Sequence, residues 1–274
     1  MTYRTIRFEQ RGHAACITLD RPDKLNAIDD PMIDELTHAY AAVETSQEIW
    51  TLILTGNGRA FCVGADLNKA STPDTPDWAP GIDTRGEPAL SSFRQWEAPQ
   101  EATPPYLQMT KPVICAINGM TAGAGLDLLT TCDIAIASDQ ASFFDPHVSI
   151  GLVAGREMVR LARVLPLGVA MRVALMGRHE RLPATRAYEL GLVSEVVPHA
   201  ELMKRAWEIA ETINRNAPLA VRGTRLAIRK GLSLPIYEAE LLSEGYRLRV
   251  SQTADAQEGP KAFLEKREPR WRAR

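Results

Sequence analysis

The sequence predicts an α/β core followed by a mostly helical tail. Three observations point to it. Short apolar runs of strand length alternate with helical segments as far as about Arg156. Beyond that point helical periodicity takes over. Two Gly/Ala-rich turns, Cys62–Leu67 and Gly123–Asp127, each follow a β-like segment and precede a helical one.

Thr5–Glu9 and Ala14–Leu19 read as strands of a hairpin joined by Gln-Arg-Gly-His. A helix is expected over Pro31–Val43, with Asp30 as N-cap and Pro31 at the first helical position. Trp50–Thr55 is a buried strand, and Val113–Ile117, Asp133–Ala137 and Ala141–Phe144 are further short ones. Between them lies a stretch containing Pro73, Pro76, Pro80, Pro88, Pro99, Pro104 and Pro105, too long for a tight connection and expected as a mobile or functional loop. A helix is expected within Ala89–Ala98, and Trp78 and Trp96 are either pocket-lining residues or loop anchors. The tail predicts helices over Met158–Val164, Val169–Met176, Ala184–Leu190, Ala200–Arg215, Ala220–Lys230, Pro235–Val250 and Ala254–Lys266, with only Val193–Val197 extended. Arg222, Arg225, Arg229 and Lys230 form a basic helical face, read as a solvated surface, with binding of a ligand phosphate as the alternative.

Composition narrows the function classes. With 274 residues the chain holds one large domain or two small ones, and 45% hydrophobic and 24% charged residues describe a soluble globular protein. A net charge of −2 gives no reason to expect nucleic-acid binding. The N-terminal Met1–Phe8 has no signal-peptide apolar core, and no run of ~18 apolar residues predicts a membrane span. Cys16, Cys62, Cys115 and Cys132 sit in apolar settings without Cys-x-x-Cys spacing, as expected for buried thiols in a reducing compartment. The five histidines include no His-x-x-x-His pair, so no metal site is expected. Gly123-Ala-Gly125 lacks the third glycine of a dinucleotide fingerprint, where Leu128 stands, and no phosphate-binding P-loop is present.

The two Gly/Ala turns carry the chemistry. Small residues leave backbone N–H groups bare where a helix begins, and such groups hold a negative oxygen. Two turns on neighbouring strands can aim two N–H groups at one point, the usual build of an oxyanion hole. Asp127 stands three residues past Ala124, so one turn offers both an electrophilic pocket and an acid/base. Taken alone, Asp127 is also what the first turn of a helix favours against its dipole.

Arg21-Pro-Asp-Lys-Leu-Asn-Ala27, Leu52–Gly56, Ala60-Phe-Cys-Val-Gly-Ala-Asp-Leu67, Lys111–Gly119, Cys132–Ala137, Ala187–Val193 and Ala262–Arg267 occur in an order that spans nearly the whole chain. Together they resemble the enoyl-CoA hydratase/isomerase (crotonase) superfamily. The resemblance implies a ClpP-like spiral of ββα repeats over residues 1–195 and a C-terminal helical trimerisation region over 196–274, the two acting as one unit. It implies an enzyme of acyl-CoA and fatty acid metabolism in the cytoplasm, a homotrimer or dimer of trimers, with coenzyme A present only as part of the substrate. By motif position the oxyanion donors are the N–H groups of Ala65 and Ala124. Lys24, Leu25, Ala27, Ala65, Asp66 and Leu67 line coenzyme A, and Phe263 and Lys266 help to cover it.

Two positions depart from the hydratase pattern. Where the family's hydratases carry two glutamates, this chain has Asp127 and His147. The resemblance therefore implies an atypical Asp127/His147 pair for proton transfer, histidine being able to act as acid or base near neutrality. Asp145 is a second carboxylate nearby. The expected reaction is hydration of a 2-enoyl-CoA or its reverse. Double-bond isomerisation, hydrolysis of a thioester or β-diketone, and non-catalytic acyl-CoA binding are the alternatives.

Overall fold

The computed structural model describes residues 3–67 and 109–274. The proline-rich stretch from Pro73 to Pro105, the expected helix in Ala89–Ala98, and Trp78 and Trp96 lie outside the described residues.

Strands β1 (Ile6–Arg11) and β2 (Ala14–Leu19) pair antiparallel, Ile6 opposite Leu19 and Arg11 opposite Ala14. β1 runs two residues further than expected, so the turn shrinks to Gly12-His13, with Gly12 at φ 53° supplying the left-handed conformation that a two-residue hairpin needs. Helix α1 (Asp30–Thr45) follows. Its N-cap is Asp29, not Asp30: the Asp29 carboxylate accepts from Met32 N at 3.0 Å, and Pro31 lies within the first two helical positions.

The chain then repeats one move. A long strand is followed at once by a short one that turns away into a second sheet. β3 (Thr51–Gly56) is followed by β4 (Ala60–Cys62), β5 (Val113–Ile117) by β6 (Met120–Ala122), and β7 (Ile134–Ser138) by β8 (Ser142–Phe144). With β9 (Leu182–Pro183) and β10 (Glu195–Val197), these strands form two sheets among the described residues. One has the order β1-β2-β3-β5-β7-β10, parallel throughout except for the opening hairpin. The other has the order β4-β6-β8-β9. Helix α2 (Ala124–Thr131) leaves directly from β6, and α3 (Arg156–Leu161) comes after β8. This is the spiral of ββα units the resemblance implies, built from an α/β fold.

The centre of the long sheet, β2, β3 and β5, is buried on both faces, as its unbroken apolar strands require. Ala15, Ile17, Leu52, Leu54, Val113, Cys115 and Ile117 face one core, together with Met32, Leu36, Ala39, Tyr40 and Val43 of α1. The alternate residues Ala14, Cys16, Ile53, Ile114, Ala116 and Ile136 face a second. That second face is covered by Leu202, Ala206, Trp207 and Ala210 of α6 (Leu202–Asn214), whose spacing is one stripe of a helix. Burying each large side chain there contributes about 1.5–3 kcal/mol. The first helix of the C-terminal region is thus part of the sheet's packing.

Between α3 and α6 lie α4 (Leu167–Met176) and α5 (Ala184–Glu189). β9 was not expected from the sequence, being a two-residue pairing with β8. After α6 come α7 (Pro218–Gly231), α8 (Ile236–Ser251) and α9 (Ala254–Leu264). The last helix stops two residues short of the expected Lys266, which adopts φ 52°.

The basic face of α7 is not a solvated surface. Arg225 and Arg229 grip the Asp133 carboxylate at 2.6 and 2.9 Å, and Asp133 also accepts from Val113 N at 2.8 Å. Arg222 binds Glu44 and Thr110. These arginines tie the helix to the N-terminal ends of β5 and β7. Helix α8 buries no residue, and Ile236, Tyr237, Leu241 and Leu248 are exposed along it. All four cysteines are buried and free; burial pushes the Cys16 thiol up to about 11 and the Cys62 thiol to about 12. Among the described residues no helix is long and apolar enough to cross a membrane.

Candidate active site

The site begins where β4 and β6 end. The turn after β4 contains Gly64 at φ 108°, and the turn after β6 contains Gly123 at φ 51° and ψ −123°. Both conformations disfavour a side chain. The turns touch: a β-carbon placed on Gly123 would lie 3.4 Å from Gly64 Cα. Gly125, one turn of chain further, is required for another reason. A β-carbon there would lie 2.3 Å from Cys62 O, so α2 and β4 pack backbone against backbone.

The contact brings Ala65 and Ala124 to neighbouring points on adjacent turns. Ala124 is the first residue of α2, where an N–H has no partner inside the helix. Ala65 N–H likewise meets no acceptor among the described residues, although its neighbours do: Ile28 N donates to Gly64 O at 2.8 Å and Asp66 N to Ile28 O at 2.9 Å. Two amides left unpaired beside one another are the donor set an oxyanion needs.

The same bonds bring the segment 21–28 alongside Ala65–Leu67. Leu25 and Asn26 take left-handed conformations, φ 54° and 56°. Asn26 holds them by donating to Asn57 O and Ala60 O, each at 2.9 Å. Arg21 spans the two segments, reaching Ala27 O, the Asp66 carboxylate at 3.0 Å and the Asp29 carboxylate at 3.1 Å. Ile28 and Arg21 thus hold the two segments together at Ala65 and Asp66, with Lys24, Ala65 and Leu67 exposed. Phe263, 83% exposed, and Lys266 stand at the end of α9, which packs on α8.

His147 follows β8 and opens a short 3-10 turn, His147–Ile150. Its ring lies against the glycine turn: the β-carbon position on Gly123 is 3.5 Å from His147 Cε1. Nδ1 is 2.8 Å from Asp145 Oδ1 and 3.1 Å from Glu157 Oε1, and the backbone N–H of His147 also donates to Asp145 Oδ1, at 3.0 Å. Nε2 has no partner among the described residues. The hydrogen bond that Nδ1–H donates to Asp145, outweighing partial burial, holds the imidazolium above its ordinary 6.5, with further help from the charges of Asp145 and Glu157. The nearest ring and carboxylate atoms of Asp145, His147 and Glu157 lie within 4.8 Å of one another. The Nδ1 contacts have the lengths of hydrogen bonds sharing one proton.

Asp127 sits in the first turn of α2 and is 3% exposed. Arg156 holds its Oδ2 through Nε and Nη2, both at 2.8 Å, and Arg160 holds Oδ1 at 2.8 Å. Both oxygens carry a guanidinium, and Asp127 and His147 share no direct bond. Sequence reasoning did not find this clamp, nor Glu157. The signal available was Arg156 and Arg160 four residues apart, which share one helix face.

Comparison with known proteins shows the family. A family model described as enoyl-CoA hydratase/isomerase matches residues 9–274. The chain is 36% identical to the (E)-benzylidenesuccinyl-CoA hydratase of Thauera aromatica, over 97% of this chain and 98% of the relative. It is 35% identical to the carnitinyl-CoA dehydratase of Proteus mirabilis, over 98% and 99%. A crystal structure of an enoyl-CoA hydratase/isomerase from Mycobacterium paratuberculosis superposes with a TM-score of 0.85 at 57% identity, covering all of both chains. The chain belongs to the enoyl-CoA hydratase/isomerase family and is an enzyme of that family.

Proposed function

We propose that the protein adds water to, or removes it from, an acyl-CoA thioester, with the Ala65 and Ala124 amides holding the thioester oxygen and His147 moving the proton. The observation that carries this reading is the position of His147. Its ring edge rests on Gly123, beside the two amides, and neither those amides nor Nε2 meets an acceptor or donor among the described residues. The hydratase and dehydratase among its relatives support the same reaction type.

In the hydration direction, Nε2 takes a proton from water as the hydroxyl bonds to Cβ of a 2-enoyl thioester. The electron pair of the double bond moves to the thioester oxygen, where the amides stabilise the negative charge. Each such donor contributes on the order of 3 kcal/mol to the transition state. The proton on Nε2 then goes to Cα, so one group handles one proton and water is added in full. Asp127, implied by its motif position as the partner of His147, would have to leave a guanidinium to take a proton. We assign it the fixing of Arg156 and Arg160 at the edge of the site. Lys24, Leu25, Ala27, Asp66 and Leu67 follow the coenzyme A portion. Phe263 and Lys266 cover it in an assembly of three or six copies, for which the exposed apolar residues of α8 are the support. The enzyme works in the cytoplasm, with coenzyme A supplied by the substrate and no further cofactor.

Incubation with crotonyl-CoA and with longer, cyclic and carboxylated enoyl-CoAs tests the reading. Loss of enoyl-thioester absorbance on at least one of them is expected; none on any would sink hydration. A histidine paired with a carboxylate also suits activation of water for thioester hydrolysis. Release of free coenzyme A, read with a thiol reagent, would favour that second reaction, and tight binding of acyl-CoA without turnover would favour a non-catalytic binder.

A further inference from the structure

We infer that Asp145 is the positioning residue for His147, holding the imidazole with its proton on Nδ1 so that Nε2 is the nitrogen that reacts. The inference rests on the assignment of His147 as the proton-handling group, and names what makes it competent.

Asp145 is completely buried, in the turn between β8 and His147. One oxygen, Oδ1, accepts from both the ring Nδ1 and the backbone N–H of His147, at 2.8 and 3.0 Å. Two bonds to one residue fix the ring's place and its rotation together. The other oxygen, Oδ2, is buried with no hydrogen-bond partner among the described residues. A half-satisfied buried carboxylate is an unfavourable way to stabilise a turn, since burial of an unpaired polar oxygen has a cost that a neutral side chain avoids. Capping the 3-10 turn needs only an acceptor for the backbone N–H. The carboxylate's additional service goes to the ring.

The surrounding charges fit the same assignment. Glu157, on the first turn of α3, brings a second carboxylate oxygen to Nδ1 at 3.1 Å, but that oxygen also accepts from Gly155 N at 3.2 Å. A single Nδ1 proton goes to the shorter bond, so Asp145 is the primary partner and Glu157 adds charge. On the α2 side, the Asp127 carboxylate is matched by Arg156 and Arg160. With Nδ1 occupied by two acceptors, the neutral ring carries its lone pair on Nε2, next to Cε1 and the glycine turn.

The test is Asp145→Asn in the full-length protein, beside Glu157→Gln. Nitrogen NMR of histidine-labelled protein reads the tautomer and titration of His147 without needing a substrate. In the parent the neutral ring is expected as the Nδ1–H form, with a midpoint above 6.5. Asp145→Asn should lower the midpoint by about one unit or more and Glu157→Gln by less. On whichever enoyl-CoA is turned over, Asp145→Asn should lower kcat about 10- to 100-fold with KM within about threefold, and move the acid limb of the pH profile downward. In a His147→Ala background it should have no further effect. An Nε2–H ring in the parent, or an unchanged midpoint and kcat in a folded Asp145→Asn protein, would overturn the inference. A parent that turns over no enoyl-CoA counts against the hydratase reading instead, and the NMR result still decides the role of Asp145.

Discussion

Gly64 and Gly123 meet face to face: a β-carbon on Gly123 would lie 3.4 Å from Gly64 Cα and 3.5 Å from His147 Cε1. This contact joins the turns that follow β4 and β6, sets Ala65 beside Ala124 and gives the imidazole its seat. A substitution here therefore acts on fold and site together. Gly123→Ala must place a side chain at φ 51°, costing about 1–3 kcal/mol, and crowds His147. Gly125→Ala has no open side at all, with a contact of 2.3 Å to Cys62 O, and should cost about 3 kcal/mol or more. Urea unfolding of the two variants checks the order: Gly123→Ala folded with reduced turnover, Gly125→Ala less stable than it.

Ala124→Pro isolates the amide. Proline is tolerated at the first helical position, where Ala124 stands, because the missing N–H has no helical partner. The variant is expected to keep the parent's circular dichroism and lose about 10²- to 10³-fold in kcat. A folded Ala124→Pro enzyme with full activity would place the oxyanion hole elsewhere.

The Asp127 clamp separates structure from proton transfer. Asp127→Ala leaves Arg156 and Arg160 without their shared carboxylate. Because both arginines are partly exposed, the loss is expected at about 1–3 kcal/mol rather than the larger figure for a fully buried pair. Asp127→Asn keeps the shape, and its kcat should stay at least tenfold above that of His147→Ala. Thermal melts and initial rates on the same preparations read both quantities. If Asp127→Asn is as inactive as His147→Ala while equally stable, the carboxylate takes part in proton transfer.

His147 makes both activity and stability depend on pH. The folded-state value lies above 6.5, so the neutral base forms only above it, and kcat/KM should fall on the acid side with an apparent pKa higher than 6.5. Stability runs the other way. The folded state binds the proton more tightly than the unfolded one, so this contribution is full below about 6.5 and disappears as pH rises through the folded-state value. Denaturant midpoints across pH 5 to 9 should show this decline in the parent and lose it in His147→Ala.

What was legible in the sequence follows from period and length. The strands of the long sheet announce themselves because burial on both faces makes them continuous apolar runs, as in Leu52-Ile-Leu54 and Val113–Ile117. The helices are legible from their apolar stripes. Of the second sheet only β8 was, expected as Ala141–Phe144; β4, β6 and β9 are two or three residues long and carry no period of their own. The glycine turns were legible because backbone contact excludes side chains. The clamp on Asp127 was not, because its arginines lie 29 and 33 residues away and nothing local marks the pairing. Likewise, Arg225 and Arg229 looked like a solvent face because their partner, Asp133, lies more than 90 residues earlier.

The most direct test of the account is the rate of enoyl-thioester loss over the acyl-CoA panel, measured with the parent enzyme and with His147→Ala. The account predicts turnover of at least one enoyl-CoA by the parent. For His147→Ala it predicts a fall of about 100-fold or more in kcat, within the range general acid–base groups contribute, with acyl-CoA binding retained. Full turnover by His147→Ala would contradict it.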